Sequence, residues 1–171
     1  MALDKLASYC SGKEIDETAV SETAGVTRDE TPGRLLDAVA MRDSALALRL
    51  IPGVLRQPKT GAVPMVMALT TQTLALAIRN ARGFSVSRQR DEYYSLLKRG
   101  SSNLTGRAWG EAIDCWMRAN GKWSTADLDH ALEVLLQADL SLKGSRVSSE
   151  EQILASAILS ICGGASLRDA A

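Results

Sequence analysis

Residues 61–82 read GAVPMVMALTTQTLALAIRNAR, and residues 61–78 pass without a single charge. Val63, Val66, Met67, Thr70, Leu74, Ala77, Ile78 and Ala81 recur at steps of three and four, the spacing of one helix face. Met65, Leu69 and Leu76 lie off that stripe, so the helix is expected to be covered on two sides and to stand at the centre of the domain. Pro64 falls in its first turn, where a missing N–H costs nothing. The uncharged run is near the length that crosses a bilayer. Thr70, Thr71, Gln72 and Thr73 put four polar side chains at its middle, however, and a central helix of a water-soluble bundle accounts for the same pattern without a membrane.

Upstream, Thr31-Pro32 is a helix start: threonine accepts from free backbone amides and proline suits the first helical position. That helix carries Leu35, Leu36, Val39 and Ala40 to Met41. After a turn at Arg42-Asp43, Leu46, Leu48, Leu50, Ile51, Val54 and Leu55 fill the next helix, which Pro52 is expected to kink or interrupt. Earlier still, Leu3, Leu6, Ala7 and Cys10 predict a short helix, and Asp16 caps a second that closes at Gly25. The polar residues 26–31 read as a linker, placing a boundary between a small unit over 1–28 and the main domain over 29–171.

Downstream, residues 84–90 form a polar connection to a short helix with Tyr93, Tyr94, Leu96 and Leu97. Trp109, Ile113, Trp116 and Met117 share a face of the next, which stops at Asn120-Gly121. Ser124-x-x-Asp127 resembles a capping box and opens a helix whose apolar face is Leu128, Ala131, Leu132, Leu135, Ala138 and Leu142. The last helix begins near Ser148-Ser149-Glu150-Glu151, with the acids at its positive dipole end, and carries Ile153, Leu154, Ala157, Ile158 and Ile161. No segment alternates with period two and no repeat recurs, so the fold class is all-α, a helical bundle.

Hydrophobic residues make up 46% and charged residues 23% of the 171, the balance of a globular protein. Lys plus Arg equals Asp plus Glu at 20 each, which excludes a global field drawing the chain to nucleic acid. The charge is nevertheless blocked. Residues 79–107 hold Arg79, Arg82, Arg88, Arg90, Lys98, Arg99 and Arg107 against Asp91 and Glu92, a pattern that suits either a subunit contact or solvated helix faces. Cys10, Cys115 and Cys162 are odd in number and form no paired motif, which speaks against a disulfide framework or zinc site and for a reducing, cytoplasmic setting. The first residues carry no signal-peptide core.

Chemistry is sparse. There is no phosphate-binding glycine loop ahead of a Lys-Ser/Thr pair. His130, the single histidine, has Asp127 within a helical turn, a pairing common on helix surfaces and insufficient for a general base. Glu111, Asp114, Asp127 and Asp129 lie around different helix faces without a metal-ligand pattern. Trp109, Trp116 and Trp123, seven residues apart, read as core, with an interface anchor as the other option. No catalytic, cofactor-binding or metal-binding residue is assigned, and no enzyme is expected.

The run from Trp123 to Lys143, WSTADLDHALEVLLQADLSLK, resembles the end of the delta subunit of the bacterial DNA polymerase III clamp loader. That family has a helix of the form Leu-x-x-Ala-Leu-x-x-Leu-Leu-x-Ala-Asp-x-x-Leu-Lys, matched by Leu128, Ala131, Leu132, Leu135, Leu136, Ala138, Asp139, Leu142 and Lys143. Asp4 to Tyr9 and the segment to Gly25 resemble the end of the family's AAA+ lid domain. Leu35 to Val39, Arg42-Asp43 and Ala45-Leu46 resemble its first collar helices. The basic stretch 79–107 matches no family signature, and Pro52 falls where the family helix is continuous.

The resemblance implies a lid remnant over 1–28 and a helical collar over 29–171, with the family's N-terminal AAA+ domain, which holds the clamp-binding element, lying before the part represented here. It further implies a subunit-association role supporting sliding-clamp loading in DNA replication. The expected partners are the gamma or tau and delta-prime subunits through the collar. The sliding clamp would be reached only through the AAA+ domain, and DNA indirectly. The family's parent holoenzyme is a DNA-directed DNA polymerase, but no catalysis or cofactor falls to these residues. The alternative is an unrelated helical adaptor that binds protein or nucleic acid through residues 79–107.

Overall fold

A computed structural model describes residues 31–58, 60–83, 85–100, 104–105, 107–144 and 149–163; the short helices expected before residue 26, with Cys10, lie outside them. Among the described residues there are seven α-helices and no strand. They are α1 (Pro32–Ala40), α2 (Ser44–Leu55), α3 (Ala62–Arg82), α4 (Gln89–Arg99), α5 (Trp109–Ala119), α6 (Thr125–Gly144) and α7 (Glu150–Gly163), with one 3-10 turn (Val86–Arg88) leading into α4.

The helix starts follow from side chains that satisfy the first free amides. Thr31 Oγ1 accepts from Arg34 N at 3.2 Å, and Asp43 Oδ1 accepts from Leu46 N at 2.9 Å. The box at the head of α6 closes reciprocally: Asp127 N donates to Ser124 Oγ at 3.1 Å and Ser124 N to Asp127 Oδ2 at 3.0 Å. A second box opens α7, where Ser149 and Gln152 exchange the same pair of bonds at 3.2 and 3.3 Å. At the other ends, Gly83 and Gly121 take the left-handed φ values of 60° and 84° that glycine tolerates without a Cβ clash.

Five helices close a circuit, each packed on the next: α1 on α2, α2 on α7, α7 on α6, α6 on α3 and α3 on α1. The α4–α5 pair attaches to α1 and α3 from outside this circuit. α3 and α6 make the most extensive helix pairing and run antiparallel, since Asn80 Nδ2 near the end of α3 donates to Trp123 O just before α6 at 3.0 Å. At the opposite end Glu150 Oε2, which opens α7, accepts from Ala62 N at 3.2 Å, which supplies the side-chain partner that Gly61 lacks.

The central position expected for α3 is observed and Met65, Leu69 and Leu76, expected as its second covered side, are buried, but the expected primary stripe is mostly half-buried or exposed. Its core-facing side chains are Ala62, Met65, Val66, Ala68, Leu69, Gln72, Thr73, Ala75 and Leu76. Of the expected primary stripe only Val66 is buried, while Met67 is 63% and Leu74 44% exposed. The physical reason is that two polar side chains are satisfied inside. Gln72 Nε2 donates to Leu36 O at 3.1 Å and its Oε1 accepts from Trp116 Nε1 at 2.9 Å; Thr73 Oγ1 donates to Leu69 O at 2.9 Å. Polar residues that appear to mark a wet face therefore mark the dry one. By length and composition α3 would pass for a membrane span, and half of its most apolar window is buried against the other helices.

Two other expectations are refined. Pro52 does not stop α2, which continues to Leu55; Pro52 O then accepts from both Arg56 N and Arg56 Nε, ending the helix one turn later. α4 begins at Gln89, four residues before Tyr93, because the 3-10 turn aligns the chain early.

One turn joins both halves of the circuit. Arg42, between α1 and α2, has a left-handed φ of 62° and reaches across to α6 and α7. Its guanidinium pairs with Asp127 at 3.0 Å, donates to Lys122 O at 3.2 Å and to Cys162 O at 3.5 Å, and lies 4.7 Å from the Trp123 ring centroid. Trp123 Nε1 donates to Ala40 O at 2.8 Å, so the ring is held from both sides.

Gln72→Ala strands the buried Trp116 N–H and leaves a void, and the expected loss is about 3 kcal/mol of unfolding free energy. Gln72→Met, which fills the space without accepting, is expected to lose roughly half of that. Urea denaturation of the three proteins followed by tryptophan fluorescence measures the order.

Candidate association surface

Among the described residues, the acid–base candidates of the sequence lie apart from one another. His130 Nε2 lies 3.2 Å from Ser160 Oγ on α7 rather than against Asp127, whose carboxylate is engaged by Ser124 and Arg42. Asp114 pairs with Arg90, while Glu111 and Asp129 point to solvent. Among the described residues no cluster of His, Cys, Asp and Glu could hold a metal.

Burial pushes the Cys115 thiol up to about 12, with a further upward push from Asp37 and an opposing pull from Arg107 and Arg118. Burial also takes Cys162 to about 11 and the Tyr93 phenol to about 12. These groups are neutral over the physiological range, the opposite of activated nucleophiles. Tyr93 packs edge-on against Trp116, ring centroids 5.5 Å apart, and its hydroxyl donates to Asn120 Oδ1 at 3.4 Å. Trp116 and Trp123 are therefore core residues, with Trp109 half-buried at its edge.

The seven cations of residues 79–107 do not form one patch. Arg107 is buried and bound to Asp37, and Arg90 is bound to Asp114. Lys98 and Arg99 end α4, whereas Arg79, Arg82 and Arg88 gather at its beginning, where α3 ends.

What stands out instead is apolar. α6 turns His130, Val134, Gln137 and Ser141 toward α7, lining an open groove of about 590 Å³ whose floor is Ala138, Ala157 and Ile153. Glu133 lines the same groove, and Leu136 and Leu140 of α6 are exposed outside it. α3 in turn directs Gln72 toward α1 and α5, so its other flank, through half-buried Thr70 and Ala77 to Met67 and Leu74, borders α6. Met67 and Leu74 on α3 and Leu136 and Leu140 on α6, the two helices of the most extensive pairing, are exposed by 44% to 63% and make up the apolar outer surface, or seam, of that helix pair. Apolar side chains concentrated along one seam are the mark of an interaction surface, whereas scattered ones need no explanation.

Comparison with known proteins gives no matching family model, no matching curated protein and no matching solved structure. The surface therefore has to be read from its own chemistry.

Raised thiol values mean slow reaction with disulfide reagents. Cys115 and Cys162 are expected to label at pH 8 at least tenfold more slowly in the folded protein than in urea. For Cys115 the sign of the linkage is that the folded state holds the thiol proton more tightly than the unfolded state, whose value is near 9.0. Stability from this group is present below pH 9 and is lost as the pH rises toward about 12. A denaturation series from pH 8 to above 11, for the parent protein and Cys115→Ala, measures the difference.

Proposed function

We propose that this chain is a non-catalytic subunit-association domain, and that the assembly it serves is the bacterial DNA polymerase III clamp loader, as the collar of a delta subunit. The observation that carries the association reading is the exposed apolar seam of Met67 and Leu74 on α3 with Leu136 and Leu140 on α6. The all-α bundle agrees with it. The clamp loader itself rests on the likeness of residues 123–143 and of the first helices to the delta family. On this reading residues 1–28 are the end of a lid domain, the partners are gamma or tau and delta-prime, and the setting is the bacterial cytoplasm.

Magnitudes decide what kind of contact the seam makes. Covering four half-exposed large side chains contributes about 1 kcal/mol each. That is comparable to the lower estimates of the cost of bringing two proteins together, so the seam alone does not hold a tight pair. It suits a closed ring, where each subunit has two neighbours and the second contact forms within an assembly already made.

Mixed with the gamma or tau and delta-prime subunits of its own organism, the full chain is expected to enter a complex visible by native mass spectrometry. Met67→Glu with Leu136→Glu, both exposed and so compatible with the fold, is expected to weaken that complex on the order of a hundredfold while circular dichroism is unchanged. A parent chain that stays alone with both partner subunits present defeats the clamp-loader reading.

A further inference from the structure

We infer that the polar end of the bundle, where α3 ends, α4 begins and α5 passes into α6, is a docking surface for the sugar–phosphate backbone of a nucleic acid. The inference is independent of the apolar seam and of the clamp-loader reading, because it rests on different residues.

The contacts place these segments together. Asn80 near the end of α3 donates to Trp123 O, and Asn120 Nδ2 after α5 donates to Gln89 Oε1 at the start of α4 at 2.9 Å. Lys122 lies between the two anchored positions Asn120 and Trp123, Arg82 follows Asn80 by two residues, and Arg88 precedes Gln89. All three cations are exposed, and none has an ion pair among the described residues. Arg79, behind them, donates through Nη1 to Asn80 Oδ1, while its buried Nε has no hydrogen-bond partner there. Arg82, Ser85 and Arg88 line a shallow depression of about 290 Å³, shared with one carboxylate, Glu92.

Two considerations separate this from an ordinary solvated surface. Arg79 and Arg82 sit in the last turn of α3, where the helix dipole favours cations, but Arg88 and Lys122 stand just before the starts of α4 and α6, where it disfavours them. Dipole compensation therefore leaves half of the cluster unexplained. Arg90 and Arg107, from the same stretch of sequence, are neutralised by Asp114 and Asp37, which leaves Arg82 and Arg88 at this end and Lys98 with Arg99 at the other; only at this end does the fold add a further cation, Lys122.

The chemistry of the surface selects the partner. Of the large exposed apolar side chains among the described residues, Tyr94 lies beside Gly110 at the start of α5, and Met67, Leu74, Leu136, Leu140 and Leu159 are elsewhere. A protein interface needs an apolar centre, with Lys excluded from it. A phosphate backbone needs only cations, arginine forks and neutral donors, which Arg82, Arg88, Lys122 and Ser85 supply. The contacts supplied by Arg82, Arg88, Lys122 and Ser85 are to phosphate, so the binding they give is expected to be indifferent to sequence.

The test is fluorescence anisotropy of a labelled oligo-dT strand and of a mixed-sequence duplex with the full chain over a salt series. Three phosphate contacts predict a log–log slope of about −3 on duplex and roughly −2 on single strand. Each of Arg82→Gln, Arg88→Gln and Lys122→Gln is expected to reduce the duplex slope by about 1. Lys98→Gln with Arg99→Gln, at the far end of α4, is expected to leave the slope unchanged. The inference is overturned if the parent chain fails to bind at low salt, or if the Lys98/Arg99 pair weakens binding as much as the triple variant. It is equally overturned if polyglutamate competes as well as the oligonucleotide does, which would make the surface an acidic-protein site.

Discussion

The bundle is organised by one buried amide. Gln72 sits midway along α3 and spends both ends of its side chain in the dry interior, giving to a backbone carbonyl of α1 and taking from the Trp116 indole of α5. An unpaired amide or indole there costs a few kcal/mol, whereas the paired arrangement is nearly neutral. Only one rotation of α3 satisfies the pair. That rotation decides which side chains become core and which are left on the surface, so the outer seam of Met67 and Leu74 is a direct consequence of where Gln72 points.

A second constraint closes the circuit. Arg42 occupies a left-handed turn that arginine does not favour, at a cost of order 1 kcal/mol, and the structure around it over-determines that conformation. Asp127, two backbone carbonyls and the face of Trp123 all engage its guanidinium. Asp127 serves the capping box of α6 at the same time, so the start of one helix and the turn between two others share a carboxylate. Gln72 sets the rotation of α3, and Arg42 sets the position of α6 and α7 relative to α1.

These two fixed points separate the surface into regions of different character. Along the α3–α6 seam the outward flanks are apolar, because the buried flanks of both helices are already used against α1, α5 and α7. At the end of the bundle the chain turns from α3 into α4 and from α5 into α6, and there the surface is polar and cationic. The protein thus offers one surface suited to a folded partner and one suited to an anionic polymer. Among the described residues, the Cys115 thiol and the Tyr93 phenol are buried, Cys162 is half-buried, and burial holds all three neutral.

Much of this is readable from the chain alone. The all-α class follows from periodicity. Helix starts at Thr31, Ser124 and Ser149 follow from local side-chain chemistry that needs no tertiary partner, and the structure keeps each of them. Trp116 and Trp123 are legible as core for the same reason, large apolar side chains at helical spacing. The orientation of α3 was not legible, because a helix apolar almost all round carries no phase, and its one buried amide, Gln72, finds partners 36 and 44 positions away in sequence. The surfaces share that limit. Seven cations in one stretch look like one patch, yet ion pairs to Asp37 and Asp114 silence two of them, and the tertiary fold brings in Lys122 from outside the stretch. Sequence by itself determined which segments are helices and where they begin; tertiary structure decided which face of each is dry, because burial depends on hydrogen-bond partners that only the folded chain brings within reach.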